Sequence, residues 1–177
     1  MTKGIIYYTD NRLDEPIFSV CQRFIVETGL PIISVSLRPI NFGTNIVLEG
    51  EPNYITMINQ IVAALEASEA DIVFFCEHDI LYHKSHFDFL PPKDDVYYYN
   101  LNNWRLDYPT NKLIRYDMLT SLSQLCVSRQ LALKHFKLRQ AKIKETGLNK
   151  FTPKEPRQAR LWGYEPGLKK KRNGGLL

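Results

Sequence analysis

The run Gly4-Ile5-Ile6-Tyr7-Tyr8 is continuously apolar and β-prone, the pattern of a strand buried on both faces. It stops at Thr9-Asp10-Asn11, a turn-type cluster. Asp14 is then placed to cap a helix with Glu15 and Pro16 in its first turn. Ile17, Phe18, Cys21, Phe24 and Ile25 share one face of that helix, and Gly29 with Pro31 ends it. Residues 32–37 read as a second strand, and residues 38–51, with Pro39, Gly43 and Gly50, as an irregular stretch. Pro52 fits the first turn of the next helix. There Tyr54, Met57, Ile58, Ile61, Val62 and Leu65 recur at helical spacing, the clearest periodicity in the chain. Residues 72–76 are apolar throughout and predict a third strand.

The first half thus reads β-α-β-α-β. That order predicts an α/β fold with a Rossmann-like sheet, mostly parallel, flanked by helices and joined by right-handed crossovers. Ligands of such sheets bind beyond the carboxyl ends of the strands. Thr9-Asp10-Asn11 follows the first strand and Glu77-His78-Asp79 the third, so two acidic, polar clusters stand where a ligand is expected. The second half is less regular, with strands predicted over residues 96–99, 113–116 and 122–128 and a helix over residues 129–145, ended by Gly147. From Leu148 onward Pro, Gly and Lys are frequent, and the chain is expected to wrap the surface. There is no internal repeat. The expected organisation is one catalytic domain over residues 1–167 and a basic tail over residues 168–177.

Composition narrows the class. A 177-residue chain with 44% hydrophobic and 24% charged residues has the make-up of a globular domain, not of a fibrous or disordered one. No apolar run reaches the length of a membrane span, and no signal peptide is expected at the N-terminus. Cys21, Cys76 and Cys126 each sit among apolar residues, which predicts buried free thiols and a cytoplasmic protein. The net charge of +4 is uneven, with basic residues dominating from Arg129 and ending in Lys169-Lys170-Lys171-Arg172. That run is either a solvated C-terminal face or a positive rim for the phosphates of a nucleotide or nucleic acid.

Glu77 and Asp79, two residues apart after a buried strand, can address one cation. Mg²⁺ and Mn²⁺ take oxygen ligands and leave positions for substrate phosphates, and His78 stands beside them as a further donor. The alternative is a plain helix cap by Asp79. His78, Asp79, His83 and His86 also offer a zinc site for hydrolysis, although their spacing matches no zinc motif. His135, within a helix, reads as structural. Thr9, Asp10 and Asn11 have groups for a nucleoside's base and ribose, and Arg12 for a phosphate, against the alternative of a self-bonded turn. Asn45, in the Gly43-Thr44-Asn45 turn, is a ligand contact or an ordinary turn residue. Asn100, Asn102, Asn103, Trp104, Arg105 and Asp107 form a polar-aromatic segment suited to a sugar, with a core Trp104 as the alternative.

On these residues the chain resembles the GT-A nucleotide-sugar glycosyltransferases, in a small, family-2-like form. Val73-Phe74-Phe75-Cys76-Glu77-His78-Asp79 stands where that family has its Asp-x-Asp-type motif, with Glu for the first carboxylate and His between. The resemblance implies a GT-A sheet, a metal (Mn²⁺ or Mg²⁺) held by Asp79 with Glu77 or His78, and a UDP-sugar or related donor. Trp162-Gly163-Tyr164-Glu165-Pro166-Gly167 is similar in position to the segment that carries the family's general base. Glu165 is therefore the implied base, with Asp107 and Asp117 as rivals. No histidine follows His135 to match the late metal ligand of many members. The implied acceptor is a hydroxyl on a nucleic acid, protein, lipid-linked or small molecule. The rivals to glycosyl transfer are the histidine-cluster hydrolase and a non-catalytic nucleotide- or nucleic-acid-binding module.

Overall fold

The computed structural model describes residues 1–146 other than Tyr108 and Met118. Strand β1 (Lys3–Tyr8) leads to helix α1 (Ile17–Val26), β2 (Ile32–Ser36), β3 (Thr44–Val47), α2 (Tyr54–Ala67) and β4 (Ile72–Glu77). After a 3-10 turn at Lys84–Asp88 come β5 (Tyr98–Tyr99), β6 (Asn103–Asp107) and β7 (Lys112–Tyr116). A second such turn (Leu122–Gln124), β8 (Leu125–Ser128) and α3 (Arg129–Thr146) complete the described chain.

Six strands form one sheet in the order β3-β2-β1-β4-β8-β5, and β6 and β7 form a separate hairpin. The first four pair in parallel, whereas β8 runs antiparallel to both β4 and β5. The sheet is therefore mostly parallel and flanked by helices, as the sequence order predicts. Alternating residues of β1 feed two cores. Ile5 and Tyr7 pack with Ile25 of α1, Phe74 and Cys76 on one face. Ile6 and Tyr8 pack with Ile58, Ile61 and Leu65 of α2 and Phe136 and Ile143 of α3 on the other. The chain crosses one way from β1 to β2 and the other way from β3 to β4, and the two crossover helices lie on opposite faces, as a single handedness requires. All three cysteines are buried and free. Among the described residues no helix is long and apolar enough to cross a membrane.

Several local expectations change. Asp14 does not cap α1: the cap position is Pro16, and Asp14 contributes only its carbonyl, 3.3 Å from the Phe18 amide. Its carboxylate is two residues too early in the chain to serve. On α2 the cap is Asn53, whose Oδ1 accepts from the Thr56 amide at 2.9 Å, so Pro52 precedes the helix instead of entering it. The stretch expected to be irregular contains β3, a sheet-edge strand with no fully buried residue. The strand expected over residues 96–99 contracts to Tyr98–Tyr99, and the one over residues 122–128 opens with a 3-10 turn. The polar-aromatic segment after β5 contains β6. Gly147 and the chain after it lie outside the described residues.

Candidate functional site

Because the crossover from β1 to β2 and the crossover from β3 to β4 run in opposite directions along the sheet, a crevice opens between the carboxyl ends of β1 and β4. Tyr8 stands beside Glu77 in the parallel register, so the residues that follow each strand emerge together. With the start of α2 and Ser121-Leu122, they line a cavity of about 750 Å³. That volume suits a small-molecule ligand. Thr9, Asp10, Arg12, Glu77, His78 and Asp79 all line it.

The walls are fixed by hydrogen bonds. The Thr9 amide donates to the Val35 carbonyl at 3.1 Å, and the Thr9 carbonyl accepts from Nε2 of buried Gln60 at 2.8 Å. Asp10 Oδ1 accepts from the Arg12 amide at 3.1 Å, which turns the chain after β1. The Tyr8 hydroxyl donates to Glu77 Oε1 at 2.6 Å. Burial, reinforced by the Glu77 charge, holds that hydroxyl protonated well above the usual phenol range. The Glu77 amide donates to the Tyr82 hydroxyl at 3.1 Å, and that hydroxyl donates to the Ser123 carbonyl at 2.9 Å. Burial also pushes Tyr82 far up, so it remains a donor. Glu77 is thus held through backbone and side chain.

His78 Nδ1 is buried with no hydrogen-bond partner among the described residues. Asp79 is exposed, and Arg12 is exposed with no carboxylate paired to it among the described residues. The lining carries the carboxylates Asp10, Glu77 and Asp79 against the single guanidinium of Arg12.

Other residues singled out from the sequence go elsewhere. Asn11 adopts φ +59° and its Oδ1 accepts from the amides of Leu37 and Arg38 at 2.8 and 3.0 Å, pinning the turn to the end of β2. Asn45 bonds to Ser34, Ser36 and the Ile40 amide within the β2–β3 edge. Trp104 and Asp107 lie on the β6–β7 hairpin, where the Trp104 indole donates to Asn102 Oδ1 at 2.9 Å and Asp107 accepts from the Thr110 hydroxyl. None of these four lines the cavity.

His83 bonds to Ser85, and His86 is buried among Phe74, Tyr82 and Phe87. Among the described residues, no three His, Cys, Asp or Glu side chains converge to hold a metal, so the four-residue zinc cluster does not form. Glu165 with its Trp-Gly-Tyr-Glu-Pro-Gly segment, and the run Lys169-Lys170-Lys171-Arg172, lie outside the described residues.

Sequence reading passed over Gln60, Asn53 and Thr56, which also line the cavity. Thr56 and Gln60 are four residues apart, hence neighbours on one side of α2, and both are buried. Two polar residues beside the apolar stripe of α2 were the available signal.

No protein-family model and no characterised protein matches the chain in sequence. Solved structures match its fold. One is 2-C-methyl-D-erythritol 4-phosphate cytidylyltransferase from Thermus thermophilus, with TM-score 0.52 and 8% identity, covering 99% of this chain and 91% of that one. Another is S. aureus TarS 1-349, with TM-score 0.44 and 13% identity, covering 92% of this chain and 54% of that one. At these identities the likeness to the cytidylyltransferase establishes a shared α/β fold.

Proposed function

We propose that this chain is a transferase that binds a nucleoside-diphosphate sugar, with UDP-sugar as the expected donor, and passes the sugar to a hydroxyl acceptor. The observation that carries the reading is the convergence of Asp10 and Arg12 with Glu77, His78 and Asp79 around one cavity at the β1–β4 switch point. Asp10 would read a nucleoside's hydroxyls or base edge and the exposed Arg12 would meet a phosphate, while Thr9 is buried with its hydroxyl accepting from the Asn11 amide at 3.0 Å.

No three donors converge among the described residues, so the chain would supply one or two ligands to a hard divalent cation of the Mn²⁺ or Mg²⁺ kind. A diphosphate approaching three carboxylates and one guanidinium needs additional positive charge. Such a cation commonly takes one or two protein carboxylates and fills its remaining positions with water and substrate phosphates. Asp79, with Glu77 or His78, would hold it, and when bound it supplies charge neutralisation at the departing diphosphate. The Tyr8 hydroxyl holds the Glu77 carboxylate and the Tyr82 hydroxyl its backbone amide, which would orient Glu77 for such a role. Removal of the acceptor's proton is assigned to Glu165 on the strength of the resemblance alone.

A second reading, nucleotidyl transfer from a nucleoside triphosphate, draws on the likeness to the cytidylyltransferase over 99% of this chain. The two differ in product. The protein is incubated with Mn²⁺ and either UDP-hexoses or nucleoside triphosphates, with water or sugar phosphates as acceptors. UDP release that is lost in Asp79→Ala supports glycosyl transfer. Pyrophosphate release from a triphosphate, with no UDP release, replaces it with the second reading. Absence of both products contradicts a transferase.

A further inference from the structure

A second cavity, of about 400 Å³, lies where β5 borders β8. The antiparallel register sets Tyr98 opposite Cys126. Pairing continues past both strands, because the Asn100 amide donates to the Gln124 carbonyl at 3.0 Å. Side chains two residues apart on a strand share a face, and Tyr98, Asn100, Gln124 and Cys126 all line the cavity. Ser85, His86 and Phe89, from the first 3-10 turn and the residue after it, add a further wall. The Phe89 ring lies 5.3 Å from that of Tyr98.

Gln124 is only 7% exposed, and its backbone is committed: the amide donates to the Ser121 carbonyl at 3.1 Å and the carbonyl accepts from Asn100. Its side chain is not committed. Among the described residues neither Oε1 nor Nε2 makes a hydrogen bond, yet neither is sealed inside the packing. The amide therefore opens on the cavity that the residue lines. Polar groups this deeply placed are met by a partner in native proteins, since an unmet one carries its full desolvation cost.

The neighbouring groups narrow the class of partner. Asn100 Oδ1 accepts from the Asn102 amide at 2.9 Å, which leaves Nδ2 to donate to His86 Nδ1 at 3.2 Å. The second Nδ2 hydrogen has no acceptor among the described residues. Burial lowers the His86 pKa to about 4, so the ring is neutral at pH 7. None of the described lining residues is Asp, Glu, Lys or Arg, and a charged ligand would find no counter-ion in the wall. The Gln124 amide sets one acceptor beside one donor. Two adjacent hydroxyls of a sugar match that pair, because each hydroxyl both donates and accepts. The free Asn100 hydrogen suits a third oxygen, and Phe89 and Tyr98 supply aromatic surface for the apolar face of a sugar ring.

We propose that this cavity binds a neutral carbohydrate, with the Gln124 amide bridging two adjacent hydroxyls. Among the described residues it shares no lining residue with the cavity at β1 and β4, and binding there requires neither nucleotide nor cation.

Saturation-transfer NMR on the full chain tests this with glucose, galactose, mannose and N-acetylglucosamine, each titrated without added metal. At least one is expected to bind wild type and Asp79→Ala equally. Gln124→Met keeps the length of the side chain and removes both hydrogen-bonding atoms, and it is expected to weaken that binding about tenfold. Ser85→Phe narrows the cavity from an exposed position and is expected to weaken binding too, so it reads the same site should Gln124→Met fail to fold. Circular dichroism and the urea midpoint show which variants are folded. Binding of none of the four sugars overturns the proposal. Binding that a folded Gln124→Met leaves unchanged overturns it, as does binding unchanged in Ser85→Phe when Gln124→Met does not fold. Binding lost in Asp79→Ala belongs to the other cavity and overturns it as well. Uracil and nicotinamide are the flat, neutral amide controls. If either binds where no sugar does, and is lost in Gln124→Met, the cavity is a heterocycle site instead.

Discussion

Strands β4 and β7 show how differently one chain can support an extended segment. Five of the six residues of β4 are buried, between β1 and β8 and under helices. All five residues of β7 are exposed, with one neighbouring strand among the described residues. The first is held by burial on both faces, so its end can fix Glu77, His78 and Asp79 in a cavity wall. The second is held by a single ladder and by Asn103 at its base, and it presents side chains outward. The buried half of the molecule is suited to positioning chemistry, whereas the hairpin leaves apolar side chains exposed.

Substitutions can break this contrast. Phe75 is fully buried and its ring lies 5.5 Å from that of Phe136. Phe75→Ala should cost about 3–5 kcal/mol, measured by urea unfolding. A loss below about 1 kcal/mol would mean that β4 is not the rigid element described.

Next is His86, packed behind β4. Burial lowers its folded-state pKa to about 4, against an ordinary value of 6.5. The unfolded chain then binds the proton more readily between those values. The contribution is fully present above pH 6.5 and is lost as pH falls toward 4, about 3 kcal/mol at its limit. His86→Phe should flatten the change in urea midpoint between pH 7 and pH 4.5. An unchanged slope would place the titration elsewhere.

Gly43 has φ +61°, and a Cβ there would lie 2.5 Å from the Ile32 carbonyl oxygen. Gly43→Ala should therefore destabilise by more than about 1 kcal/mol. Asn53→Ala removes the α2 cap and should cost about 1 kcal/mol, with Asn53→Asp retaining it. At the other end of the contrast, Leu106→Ser on the hairpin should change the unfolding free energy of the single chain by less than about 0.5 kcal/mol. A loss comparable to that for Phe75→Ala would show that the hairpin is part of the core.

The same contrast governs what the sequence discloses. β1, β2 and β4 are apolar runs, and α2 repeats Ile58, Ile61 and Leu65 at helical spacing, because burial on both faces or on one stripe leaves a regular pattern. Edge strand β3 and hairpin strand β6 bury little, so Thr44-Asn45 and Asn103-Trp104 read as loop. Asp10 and Asp79 could be singled out because the sheet's topology decides what lies beyond a strand end. The position of Asn45 could not, since an amide that bridges Ser34 and Ser36 looks in sequence like any other turn asparagine. Gln60 escaped notice for a related reason: its bond to the Thr9 carbonyl joins residues 51 positions apart.

The proposed function rests on a cation-dependent diphosphate site at the ends of β1 and β4. Thermal unfolding with UDP, GDP, CDP or ADP, each with and without Mn²⁺, tests it most directly on wild type and Asp79→Ala. A ligand bound by the native state alone raises the midpoint. The expected result is a rise with one nucleotide, UDP first among them, that requires both Mn²⁺ and Asp79. No rise with any nucleotide, or a rise that persists in Asp79→Ala without Mn²⁺, contradicts it.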